Sequence, residues 1–170
     1  MPKTTNTPKR NLESVIKNLN KEISKIEGRT LKGLLHAGMF ISAEATKGAP
    51  IKYGNLRGSR YVLWSGGGEN TSGTFRSGTK ADKKTKAISL KSSVAEMAKR
   101  HADIIARRKS AIGKDRAVEA GFTASYAIAV HEINKNYHKG TWKFLQFAIR
   151  NNKDKILAIV KKFTKGKGNA

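Results

Sequence analysis

Gly54-Asn55-Leu56-Arg57-Gly58-Ser59 runs directly into Arg60-Tyr61-Val62-Leu63-Trp64, and the fold class turns on these two segments. The first, punctuated by glycine and asparagine, reads as a turn. The second is rich in aromatic and branched side chains and reads as a strand, closed by Ser65-Gly66-Gly67-Gly68. On the N-terminal side, Lys47-Gly48-Ala49-Pro50 stops whatever helix precedes it, because Pro50 disfavours helical backbone at Ala49. A turn and a strand therefore follow a helical N-terminal region, and the chain reads as α+β.

Upstream, Leu12, Val15, Ile16, Leu19, Ile23 and Ile26 recur at helical spacing from an N-cap at Asn11. Leu31, Leu34, Leu35, Met39, Phe40 and Ala43 continue the pattern to about Thr46. Gly28 either separates two helices or kinks a single one, and the apolar positions of both stretches are expected to be core. Residues 1–10 are expected to form a disordered arm. Downstream, residues 66–86 combine glycines with Lys80, Lys83, Lys84 and Lys86, which predicts a long, mobile basic loop.

Ala87–Leu90 is expected to be a short strand. Ser93–Lys109 has helical spacing, with Val94, Met97, Ala98, His101, Ile104 and Ile105 on one side. Ala117–Phe122 reads as a strand, and Tyr126–His131 as a strand or a short helix. Trp142–Phe163 is predicted to be one final helix, followed by a basic tail at 164–170. The organisation predicted is a single domain over 11–163 with a flexible basic insertion at about 66–116.

Charge narrows the function. The 170 residues hold 35 Lys plus Arg against 12 Asp plus Glu, a formal net charge of +23. The excess is concentrated in two blocks, 76–116 and 134–168, which bracket a segment, 117–133, with no Lys or Arg at all. Such asymmetry predicts a polyanionic partner, either nucleic acid or an acidic protein surface. The absence of cysteine excludes disulfides, thiolate metal sites and cysteine nucleophiles. Neither a membrane-length apolar run nor a signal-peptide apolar region is present, so a soluble protein made inside the cell is expected.

Catalytic chemistry finds little support. The carboxylates are few and scattered, unlike a glycosidase pair or a two-metal nuclease cluster. His131-Glu132 followed by His138 is the only ligand-like grouping, but the zinc-protease pattern needs its second histidine at position 135, which is Lys. His131 reads instead as a half-buried, hydrogen-bonded residue. No serine lies in a nucleophile elbow, and Gly66-Gly67-Gly68 lacks the Gly-Lys-Ser/Thr ending of a phosphate loop. No catalytic residue, cofactor or metal is expected.

Lys80, Lys83, Lys84 and Lys86, with Arg107, Arg108 and Lys109, are candidates for contact with DNA or an acidic partner. Phosphate contacts of this type are salt-dependent and indifferent to sequence. No helix-turn-helix, zinc finger or RNA-recognition motif accompanies them. A solvated helix face beside a loop accounts for the same residues, and a non-specific nucleic-acid-binding protein is the alternative reading of the whole chain.

The order of segments resembles a known family. A long N-terminal helix, Ala49-Pro50, Gly54-Asn55-Leu56-Arg57-Gly58-Ser59, a strand, Tyr126-Ala127, Val130-His131-Glu132 and Lys143-Phe144-Leu145 opening a terminal helix follow one another. This resembles the tail-completion or neck (head–tail connector) proteins of long-tailed bacteriophages, also described as tail-component or minor capsid proteins. The resemblance spans roughly 30–65 and 117–163, and departs at Tyr53 and Lys143, where the family commonly has Thr and Pro. It implies a structural virion subunit with a small antiparallel sheet packed by helices. Such a subunit would form a homo-oligomeric ring around the DNA channel, with portal, neck or tail proteins as partners and the host cytoplasm as the place of assembly.

Carried over residue by residue, Gly54, Leu56, Arg57 and Ser59 form the turn into the first strand. Gly54 would supply a positive φ, Leu56 an anchor, and Arg57 a pair for a neighbour's carboxylate. Tyr126, His131 and Glu132 would lie at or near the sheet edge, where subunits meet. The same residues, above all Gly54 and Leu56, equally suit a fold-defining turn and core with no partner contact.

Overall fold

A computed structural model describes residues 9–52, 54–76, 86–113 and 117–165, and the fold is α+β. The N-terminal periodicity forms one unbroken helix, α1 (Lys9–Gly48), of 40 residues. At about 1.5 Å rise per residue it is some 60 Å long. Gly28 does not break it. Each interior glycine costs only about 1 kcal/mol relative to alanine, and the helix, free of proline, tolerates Gly28 as it does Gly33 and Gly38.

A short helix, α2 (Asn55–Gly58), leads into strand β1 (Arg60–Trp64), and strand β2 (Gly68–Thr71) follows. A long helix, α3 (Lys86–Ile112), and strand β3 (Val118–Phe122) come next, then the short helix α4 (Ala127–Glu132). Helices α5 (Phe144–Arg150) and α6 (Lys153–Thr164) close the chain. The three strands form an antiparallel sheet in the order β2-β1-β3, with Val62 opposite Asn70 on one side and Ala120 on the other.

The strand read from Arg60–Trp64 is the middle of this sheet and is covered on both faces, which explains its continuous apolar run. Val62 is fully buried and lies toward α1, near Gly38. Tyr61 and Leu63 face the other way and cluster with Ile105 and Ile112 of α3. The buried side of α1 consists of small residues, among them Gly33, Ala37, Gly38, Ser42 and Ala45. A Cβ at Gly38 would stand 2.8 Å from Val118 Cγ1, and one at Gly33 would stand 3.2 Å from the Val160 carbonyl. Small side chains thus let the sheet and α6 approach the helix closely.

Several expectations need correction. Residues 66–86 are not one loop, because Gly68–Thr71 pairs with β1 as an edge strand. Lys80, Lys83 and Lys84 lie outside the described residues. Ala87–Leu90 is helical, since it continues the phase of α3 with no turn signal before Ser93. The C-terminal helix is two helices, parted at Asn151-Asn152, where the Asn152 amide bonds the Ala148 carbonyl at 3.0 Å. Asparagine competes in this way with the helical ladder. Tyr126–His131 resolves as helix: Tyr126 precedes α4, and His131 and Glu132 end it. Val15, Ile16, Leu19, Ile23 and Ile26 are not core; each is about half exposed.

Candidate interaction surface

The turn before β1 is built as its residues dictate. Gly54 adopts φ +86°, the left-handed conformation expected of it, and a side chain there would meet nothing within 4 Å. Leu56 is 4% exposed in a core cluster with Ala45, Ala49, Ala127, Phe144 and Ala148. Ser59 is fully buried; its hydroxyl donates to the Leu56 carbonyl at 2.8 Å, and its own carbonyl accepts from the Thr123 amide. Arg57 donates to the Lys47 and Ala49 carbonyls at the end of α1. Its guanidinium works within its own chain, satisfying carbonyls that a helix terminus leaves without partners.

Beside this turn lies a groove of about 530 Å³. Pro50, Ile51, Leu56, Val130 and Tyr137 supply apolar walls, and Tyr126 and Gly54 also border it. Its rim carries Lys52, Lys135, Lys139 and His138, with no acidic residue among the lining. Burial raises the pKa of the Tyr126 phenol above its ordinary value, so the hydroxyl is a donor over the physiological range. Ile133 nearby is 57% exposed.

His131 and Glu132 face a different, smaller depression together with Phe122, Ile128 and Phe144. The His131 ring lies edge-on to Phe144, its centroid 5.0 Å away, and Nδ1 bonds the Glu132 carboxylate at 2.6 Å. Ile128 is 78% exposed on the same helix, a surface apolar residue that the sequence pattern did not single out.

Arg107, Arg108 and Lys109 separate into two kinds. Arg108 pairs with Glu119 at 3.6 Å and Lys109 with Glu69 at 3.0 Å, so both tie α3 to the sheet. Arg107 instead borders a cleft with Arg100, Asp103, Met97 and Tyr126. Lys86 is the first residue of α3. The structure therefore brings Gly54, Leu56 and Tyr126 to one groove, sets Arg107 on an adjoining cleft that shares Tyr126, and leaves His131, Glu132, Arg108 and Lys109 elsewhere.

The surface missed in the sequence is the first half of α1. From Ser14 to Ile26 every residue is exposed, and among the described residues nothing covers Ile16, Leu19, Ile23 or Ile26. These four follow one another at spacings of three and four, and with Val15 beside them they form an apolar stripe whose period fits a core helix as well as a coiled-coil seam.

Among the described residues no group of three or more His, Cys, Asp or Glu is placed to hold a metal ion, and no helix is long and apolar enough to cross a membrane. Comparison of the chain with protein-family models, with curated proteins and with solved structures finds no match.

Proposed function

We propose that the protein is a structural subunit of a tailed-phage virion, a neck or tail-completion protein that assembles as a ring between head and tail. One observation carries the reading. The segments that resemble the family are far apart in sequence, yet Ala49, Leu56, Ala127 and Phe144 meet in one core cluster at the end of α1. They thus build a single structural unit, as parts of a shared scaffold must. The exposed arm and the lysine-rimmed groove suit a protein whose task is to join copies or neighbours.

Two experiments test this. Sequencing the flanking genes should place portal or capsid genes on one side and tail genes on the other; a metabolic neighbourhood would count against the proposal. Disrupting the gene in the phage that carries it should yield DNA-filled heads and separate tails under the electron microscope. Intact infectious particles lacking the protein would sink it.

A further inference from the structure

We infer that the free N-terminal half of α1 is a docking arm, and that its site is the lysine-rimmed groove of a second copy of this chain. The inference deepens the ring reading by naming the contact that joins successive subunits.

The arm presents Ile16, Leu19, Ile23 and Ile26 as one apolar seam, each 48–56% exposed. Helical geometry sets Glu22 and Glu27 on the two borders of that seam and Lys17, Lys21 and Lys25 on the opposite face. Glu22 is held on its own helix by Lys25 at 2.6 Å, an exposed pair of the kind worth little, so it can exchange partners. An exposed apolar stripe of this length marks an interaction site. In sequence, 1–8, 77–85, 114–116 and 166–170 contain no run of large apolar residues.

Self-pairing of two arms is opposed by charge. Parallel pairing would set Glu22 of one arm beside Glu27 of the other, and full antiparallel overlap would bring Glu22 against Glu22. The favourable complement is apolar with a cationic rim. The groove at Pro50 has that character: Ile51, Val130 and Tyr137 within, Lys52, Lys135 and Lys139 around.

An arm cannot reach its own groove. Both are fixed to α1, the seam at its start and the groove beyond its last residue, with about 45 Å of continuous helix between Leu19 and the helix end. Docking is therefore head to tail. Such contacts leave one arm and one groove open at the ends of every linear array, and they close into a ring when the rotation per copy permits.

Sedimentation velocity of the full-length protein tests this with two variants. Leu19→Asp/Ile23→Asp disables the arm, and Lys135→Glu/Lys139→Glu disables the groove; all four residues are exposed, so circular dichroism and the thermal midpoint should match the wild type. The wild type should assemble as concentration rises, while each variant alone should remain a monomer. An equimolar mixture should form a dimer and nothing larger, because it contains one good arm and one good groove per pair. A groove variant that still assembles alone, a mixture that stays monomeric, or a wild type monomeric at every concentration would each overturn the inference. The neck reading fails separately, by intact particles that lack the protein.

Discussion

The Arg57 guanidinium grips the Ala49 carbonyl through two nitrogens, Nε at 3.0 Å and Nη2 at 2.9 Å, and Nη2 also reaches the Lys47 carbonyl at 2.7 Å. The end of α1 and the turn before β1 are thereby locked across the Ala49-Pro50 corner. Charge-assisted bonds of this kind contribute about 1.5–3 kcal/mol each to stability. Because three bonds share one side chain and are partly exposed, Arg57→Ala should cost about 2 kcal/mol in total by urea denaturation. Arg57→Lys should recover less than half, since an ammonium cannot fork. A variant that keeps wild-type stability but fails to assemble would assign Arg57 to a subunit contact instead.

Gly54 precedes and Gly58 ends the same short helix, and the two should respond very differently to alanine. A Cβ at Gly58 would stand 1.9 Å from the Thr74 carbonyl oxygen, a backbone atom that cannot swing away. Gly58→Ala should therefore cost about 3 kcal/mol or more. Gly54→Ala meets no atom and bears only the left-handed backbone penalty, about 1–2 kcal/mol. Denaturation midpoints that ranked Gly54→Ala as the worse variant would refute this description of the turn.

His101 makes stability depend on pH. Its Nδ1 lies 2.6 Å from Thr123 Oγ1, which in turn donates to the Ser59 carbonyl, so the network assigns the ring proton to Nδ1. Nε2 is buried with no hydrogen-bond partner among the described residues, and Phe75 packs edge-on against the ring. Burial lowers the His101 pKa below the ordinary histidine value, against a smaller opposing pull from Glu69. The unfolded chain then binds the proton more readily than the folded one. Stability should be full above about pH 6.5 and should fall as pH drops below it, levelling off under the folded-state pKa. His101→Gln should flatten that part of the profile. An unchanged profile between pH 7 and 5 would show that the ring titrates without cost.

Arg107 separates the alternative reading from the structural one. Arg108 and Lys109 are occupied by Glu119 and Glu69, so their removal would disturb the fold as well as any ligand. Arg107 is exposed at a cleft rim. If α3 contacts DNA phosphates, Arg107→Ala should lower the slope of log affinity against log salt by about 0.9 at unchanged thermal stability. Fluorescence anisotropy with duplexes of unrelated sequence reads this directly. An unaltered slope removes Arg107 from any DNA contact.

How much of this was legible in the sequence differs by element. Arg60–Trp64 and the Gly54 turn were, because branched and aromatic residues and a glycine at a left-handed position each have a local cause. Ala87–Leu90 was not: four apolar or small residues fit a strand as well as a helix, and only the continuing phase of α3 decides. The break at Asn151-Asn152 is a one-turn event inside a pattern that remains apolar on both sides. Val15–Ile26 has the correct period for a helix, and period says nothing of whether the covering partner is the same molecule. For the site, Leu56 and Tyr126 were named from the turn and the resemblance, whereas their meeting beside Lys135 and Lys139 depends on the chain path after α4.

The continuity of α1 through Gly28 also converts residue count into angle. Each residue turns the helix by about 100°, and seven residues bring a face back to within about 20° of its start. One residue inserted between Ile26 and Leu31 would swing the whole arm roughly a quarter turn about the axis relative to the sheet, with every side chain intact. Under the proposed arm-to-groove docking, the bearing from one copy to the next would then be wrong, although neither contact surface had changed.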